Sequence, residues 1–483
     1  MTVEELKNLV QEVVLQKCER QDLELKEARG GTPKRLYDTL SSFANQIGGG
    51  TLLFGISEAE GFAITGVYDA QDLQVKVTEQ CKQMSPTIRP LFTVAEINGR
   101  TVVSAEITET DIFDKPCFYL GAGRMRGSYV RVGDADITMT EYEVYSLEAF
   151  KRKIHDELRI VDRATVESFD NEEITRYFAI LRKEKPNLAN MTDEQLMRFQ
   201  GIVENGKPTV GGVMLFGIYP QSFFPQLSIT AMLVPGYEIA AAGSEERFID
   251  NKRIDGTIPQ MLDGAIGFVR RNMRTKTIID DTTAERRDKT EYPIKAIREI
   301  ILNSLIHRDY SIHTDGSPIR IVMYKDRIEV ENPGGLYGRL TVDDLGKAAA
   351  DTRNPFIAGM LEVMLKTENR FSGIPTILAE MNAAGLPRPV FESVRGVFKA
   401  TLYNNEAKQE LIEAHEVGEF ETQILDFCKL PRSREELAKE LHLESSLYYM
   451  MTRYIQPLIK QGKLRLVFPN VPKSKNQRYQ SKS

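Results

Sequence analysis

The stretch YPIKAIREIILNSLIHRDYS, Tyr292 to Ser311, constrains this chain more than any other segment. Tyr292-Pro293 opens a helix, since proline fits a first helical turn. Ile300, Ile301, Leu302, Leu305 and Ile306 then give it a buried face. Glu299, Asn303 and His307 recur four residues apart, so they lie along one side. A polar stripe facing solvent has the same spacing. A helix this apolar is largely buried, however, and buried Glu, Asn and His need partners. Two later segments sharpen the pattern. DRIEVENPGGL reads as a strand ending in the turn Asn332-Pro333-Gly334-Gly335, where a flat ring can approach the backbone. NRFSGIPTILAEM places Ser372-Gly373 just before a helix N-terminus, whose amides and dipole favour phosphate.

Together these segments resemble the GHKL ATPase fold, specifically the divergent ATP-binding domain of bacterial predicted transcriptional regulators. The resemblance spans about residues 200–403 and includes GGVMLFGIYPQSFFP, TRNPFIAGML and AAGLPRPVFESVRGVFKATL. It implies that Glu299 polarises an attacking water and that Asn303 holds a Mg²⁺ bridging the phosphates of ATP. His307, Glu331, Asn332, Gly334, Gly335, Ser372 and Gly373 complete the implied nucleotide site. The turn reads Glu331-Asn332-Pro333-Gly334-Gly335 where the family uses Asp-x-Gly-x-Gly. The adenine amino group would then meet an Asn oxygen, a weaker acceptor than a carboxylate.

With 483 residues, the chain is expected to form two to four domains. Its 41% hydrophobic and 27% charged residues are globular composition. No apolar run is long enough for a membrane helix, and the acidic N-terminus does not read as a signal peptide. Cys18, Cys81, Cys117 and Cys428 are scattered, as are the five histidines, so neither a disulfide framework nor a zinc site is expected. The expected setting is the reducing cytoplasm. Val210 to Tyr219, the most apolar run, reads as a buried strand.

The order of elements gives an α+β multidomain chain. Residues 1–145 form one domain, with a helix from Leu36 to Asn45, a strand in GGGTLLFGI and a hairpin at Asn98-Gly99. Residues 146–168 read as a charged helical connector. Residues 146–403 form the ATP-binding region with its core at about 291–403, an α/β sandwich by resemblance. Residues 404–418 are a linker and 419–483 a small basic unit.

In the first domain, CERQDLELKEA and LYDTLSSFANQIGGGTLLFGI resemble the Schlafen-type AlbA-like domain, over about residues 10–140. That family includes nucleic-acid binders and RNA-cutting enzymes. The resemblance places three metal-binding carboxylates at Glu19, Glu24 and Glu58; Glu24 and Lys26 pairing on an exposed strand face is the plainer alternative. Arg124, Arg126 and Arg131 around Tyr129 are candidate phosphate contacts.

The last segment reads as three helices followed by a basic hairpin, the pattern of a winged helix-turn-helix. Net charge supports it once the chain is divided. The whole carries −6, yet Ser445–Ser483 holds eight basic residues and no Asp or Glu, leaving −14 for the rest. Such asymmetry points to duplex DNA through the tail, with Tyr449, Arg453, Lys463, Arg465, Lys473, Lys475 and Arg478 as candidate contacts. Tyr448 and Tyr454 share the third helix with Tyr449 and Arg453. The leading expectation is an ATP- and DNA-binding transcriptional regulator, a homo-oligomer, with weak ATPase activity as an option. A metal-dependent nuclease switched by ATP and a protein-interaction scaffold with a vestigial pocket are the alternatives. The AlbA-like domain is expected to take a second nucleic acid or a protein.

Overall fold

The computed structural model describes residues 1–239, 247–279, 286–347, 351–365, 373–407, 417–441, 450–460, 462–468 and 477–481. The chain divides into two compact units, Met1–Leu147 with Ile412–Ser483, and Glu148–Leu411.

The N-terminal part is built on four strands in the order Leu23–Lys26, Gly50–Phe54, Arg100–Ile107, Leu91–Ile97. The first pair is parallel and the others antiparallel. The last two form the hairpin expected at Asn98-Gly99, where both turn residues take positive φ, 54° and 71°. Side-chain alternation sends Leu23, Leu25 and Leu53 beneath the helix Val3–Gln16, with Leu6, Val10 and Val13. It sends Leu52 and Phe54 to the other face, beneath helices Tyr37–Asn45 and Ala70–Cys81. Glu24 stands in register with Leu52, and so points to this second face. The Phe43-Ala44-Asn45 segment and its glycines are explained by packing. Asn45 Nδ2 donates to the carbonyls of Cys117 (2.9 Å) and Tyr129 (3.0 Å), and its Oδ1 accepts from Cys117 N–H (2.7 Å). A Cβ on Gly49 would collide with the Ile107 carbonyl, and one on Gly50 would lie 2.5 Å from the Phe43 ring.

The second unit carries a six-stranded sheet, ordered Asp250–Ile254, Ile229–Leu233, Ile319–Met323, Arg327–Pro333, Val397–Tyr403, Val390–Val394. Only Ile229–Leu233 with Ile319–Met323 is parallel. Helices Ile258–Asn272, Ile294–His307, Pro355–Leu365 and Gly373–Ala383 share one apolar core with it. Along Arg327–Pro333 burial alternates, so Ile328, Val330 and Asn332 face the helices.

Two expectations need correction here. Val210–Phe216 is an α-helix, with all seven residues buried, and not a strand. Thr209 caps it, accepting from Gly212 N–H at 3.0 Å. Its glycines serve close approach, since a Cβ on Gly212 would collide with the Ile202 carbonyl. The connector is not one helix either. A helix covers Glu141–Arg152, Lys153 takes φ 54°, and two 3₁₀ turns follow at Asp156–Leu158 and Val166–Ser168.

The C-terminal part has helices Val417–Phe427 and Arg434–Glu440 and a helical run of Met451–Ile455, π-type, into Gln456–Lys460. Three antiparallel strands, Arg432–Ser433, Arg478–Ser481 and Leu464–Leu466, complete it. Ser433 caps the second helix in a reciprocal box with Glu436. Ile424, Leu437, Ile455, Leu458 and Tyr479 are among its core residues, and Tyr454 is buried with them. Most of the 404–418 linker lies outside the described residues.

Candidate functional site

A cavity of about 380 Å³ lies in the second unit between the helix Ile294–His307 and the strand end Asn332–Gly335. That volume is within the range of small-molecule sites. Glu299, Asn303 and His307 all line it, so the four-residue spacing does put them on one wall. Asn332, Gly334, Gly335 and Gly373 line it too. Glu331 does not: strand alternation turns it to the opposite face of the sheet, where it pairs with Arg320 at 2.9 Å. Ser372 lies outside the described residues.

Several of these groups have hydrogen-bonding capacity that the described residues leave unused. Asn303 Nδ2, Asn332 Oδ1 and the Tyr337 hydroxyl are buried with no partner among the described residues, and all three side chains line the cavity. Asn332 is only 3% exposed, so its orphaned oxygen carries a desolvation cost unless something bonds to it. Gly373 opens the helix Gly373–Ala383 directly over Asn303; a Cβ there would lie 2.5 Å from Asn303 Nδ2. Burial raises the pKa of Glu299, against the weaker opposing pull of Arg298. Burial also pushes the His307 imidazole down to about 4, helped by Arg353, which keeps it neutral near pH 7.

The floor is held by residues that the sequence reading did not assign. Arg353 and Asp309 form a buried ion pair, and Arg353 Nη2 donates to the Gly335 carbonyl at 3.1 Å. Asp309 N–H donates to Pro333 O at 2.9 Å, and Gly334, at φ +111°, has no room for a Cβ beside Asp309 and Arg353. Asn354 Nδ2 donates to Ile306 O (2.8 Å) and Arg308 O (2.7 Å), closing the C-terminus of the site helix. The signal was present in HRDY and TRNP, whose polar residues flank the apolar runs.

In the N-terminal domain, the charged residues mostly satisfy one another. Arg131 is buried and donates to Glu24 (2.6 Å) and Asp136 (3.0 Å), with Glu19 at 3.9 Å. Asp136 also accepts from Thr39 (2.6 Å) and Ser42 (2.5 Å), and Glu24 also meets Lys26. Burial raises Glu19 to about 7, with Glu24 and Glu58 adding repulsion, against Leu25 N–H, which donates to it at 2.6 Å. Glu58 is exposed. Among the described residues no three His, Cys, Asp or Glu side chains converge to hold a metal. Arg131 therefore anchors the domain interior, where the sequence offered it as a phosphate contact.

Of the tail residues, Lys463 pairs with Glu421 at 2.5 Å, Arg465 donates to Gln480 at 2.8 Å, and Arg478 donates to the Pro431 carbonyl at 3.1 Å. All three retain exposed surface. Tyr448, Tyr449, Lys473, Lys475 and the side chain of Arg453 lie outside the described residues.

Residues 19–140 match the family described as "Schlafen, AlbA_2", and residues 316–402 match "Putative ATP-dependent DNA helicase recG C-terminal", an HATPase-type family. The chain carries a Schlafen-type AlbA_2 domain and an HATPase-like domain. The HATPase-like match takes in the cavity floor Asn332–Gly335, while the Glu299–His307 wall precedes it in sequence. Residues 147–230 match a "Domain of unknown function (DUF8451)". No curated protein matches the chain. Among solved structures, the DIP2311 protein of Corynebacterium diphtheriae is 20% identical, with 92% of this chain and 91% of that one covered and a TM-score of 0.40. The N-terminal domain of a RecG-related protein from Nitrosomonas europaea is 25% identical over 28% of this chain and 92% of its own, with a TM-score of 0.23. No helix among the described residues is long and apolar enough to cross a membrane.

Proposed function

We propose that this chain is an ATP-binding, DNA-binding transcriptional regulator in which nucleotide occupancy alters DNA affinity. The observation that carries the reading is the cavity wall on which Asn303 and Asn332 present buried polar atoms without partners among the described residues. A nucleotide fits that deficit. Asn332 Oδ1 is an acceptor suited to an exocyclic amino group, and the N-terminus of Gly373–Ala383 suits phosphate oxygens. The donor set also suits Mg²⁺, which takes few protein oxygens and keeps water and phosphate ligands. Asn303, through its Oδ1, would hold it, and it would neutralise phosphate charge. Glu299, made more basic by burial, is suited to accept a proton from water, so slow ATP hydrolysis is the expected accompaniment.

The DNA side of the proposal rests on the tail. Three helical segments and a three-stranded sheet support a winged-helix reading, and the +8 charge of Ser445–Ser483 supports phosphate contact. The AlbA_2 domain would take a second nucleic acid or a protein partner, and the assembly would be a homo-oligomer on paired half-sites. Ligand binding can shift DNA affinity only through a difference between the two states, typically about 5- to 150-fold. Affinity for duplex DNA at fixed salt, with no nucleotide, with Mg·ATP and with a non-hydrolysable analogue, tests this. A change on adding nucleotide is expected; identical affinities in all three conditions would remove the coupling from the account.

A further inference from the structure

The five residues His155-Asp156-Glu157-Leu158-Arg159 form a strap inside the second unit, and nothing in the nucleotide motifs accounts for them. Each odd-numbered member makes a polar contact with the region around the cavity. His155 Nδ1 lies 3.2 Å from the Arg353 carbonyl. Glu157 is wholly buried, and its two carboxylate oxygens accept separately from Phe356 N–H (2.9 Å) and Ile357 N–H (2.7 Å). Arg159 donates to Asp315 at 3.0 Å and to the Tyr310 carbonyl at 3.2 Å. From behind, the strap is pressed by glycines: a Cβ on Gly211 would lie 3.2 Å from the Glu157 carbonyl, and one on Gly201 2.6 Å from Leu158.

The helix that Glu157 holds is Pro355–Leu365, and its Pro355, Ala358, Gly359 and Glu362 line the cavity. Its first-turn amides have no partners inside the helix, so a buried carboxylate that takes two of them fixes where the helix begins. The Arg353 of the cavity floor lies two residues before that helix and is touched by His155 through its carbonyl.

We propose that Glu157 is a positioning residue for the nucleotide cavity: by gripping the N-terminus of Pro355–Leu365 it sets one wall of the site, and it gives the 147–230 segment a role in ligand binding. The inference rests on the nucleotide reading above. Deprotonated, Glu157 satisfies both amides; protonated, it loses acceptor capacity, as a glutamine does. Burial raises its pKa to about 7, against the two amides. Of its neighbours, Tyr310 feels its charge and is itself shifted upward by burial, so it stays neutral, while Arg159 and Asp315 are occupied with each other.

The test is nucleotide affinity of the full chain for Mg·ATP at pH 6 and pH 8, in wild type and in Glu157→Gln. Wild type is expected to bind more tightly at pH 8. Glu157→Gln is expected to bind about tenfold more weakly there and to lose the difference between the two pH values. Equal affinities and equal pH profiles in the two proteins would overturn the proposal. No binding by wild type would instead overturn the nucleotide reading itself. If the variant fails to fold, hydrogen exchange of the wild type decides: Mg·ATP should slow exchange at Phe356, Ile357 and residues 155–159, and unchanged exchange there rejects the strap.

Discussion

The nucleotide cavity and the AlbA_2 carboxylate cluster both gather buried polar side chains, yet they differ in what those side chains still lack. Around Arg131, both terminal guanidinium nitrogens are paired with Glu24 and Asp136 and Asp136 takes two hydroxyls as well, leaving only Nε of that guanidinium without a partner among the described residues. In the cavity, Asn303, Asn332 and Tyr337 hold atoms with no partner among the described residues. A cluster whose charges pair with one another stabilises a fold. A cavity wall with unused donors and acceptors gains most when a ligand arrives.

The contrast is broken most strongly by removing the anchor. Arg131→Met leaves Asp136 largely buried without its cation and Glu24 with Lys26 alone, and should cost about 3–5 kcal/mol of stability by chemical denaturation. Its nucleotide affinity should not change, since the cavity belongs to the other unit. An Arg131→Met protein as stable as wild type would mean the cluster is not structural. A smaller effect comes from Glu19. Its folded pKa is raised from 4.5 to about 7, so folding favours the protonated acid. The stability it contributes is fully present below pH 4.5 and is lost as pH rises through about 7. Glu19→Gln should therefore gain on wild type in thermal stability from pH 5 to pH 8. A constant difference would place Glu19 in a more solvated environment.

Much of this architecture was legible in the sequence, for reasons that vary by element. The Asn98-Gly99 hairpin was readable because its turn conformation selects residue types that tolerate positive φ. The Glu299, Asn303 and His307 wall was readable because a helix repeats its faces. Val210–Phe216 was misread because a short, wholly apolar run has no periodicity to separate helix from strand. Thr209, three residues before Gly212, was the overlooked cap. Glu331 was placed in the site by resemblance, whereas the two-residue period of its strand sends it outward once Asn332 faces in. Glu157 was not legible, since its role depends on a contact with a segment far away in sequence, whereas Asp309 and Arg353 sat in HRDY and TRNP without showing that they pair.

The central claim is that the unpartnered polar wall of the second unit takes a nucleotide. Calorimetric titration of Mg·ATP into the full chain, beside Asn303→Ala and Gly373→Ala, tests it most directly. Asn303 Nδ2 has no hydrogen bond to lose among the described residues, so Asn303→Ala should shift stability by no more than about 1 kcal/mol. Wild type should bind saturably, and both variants at least about tenfold more weakly, a loss of roughly 1.4 kcal/mol or more. Absence of binding in wild type, or equal affinity in all three proteins, would contradict the account.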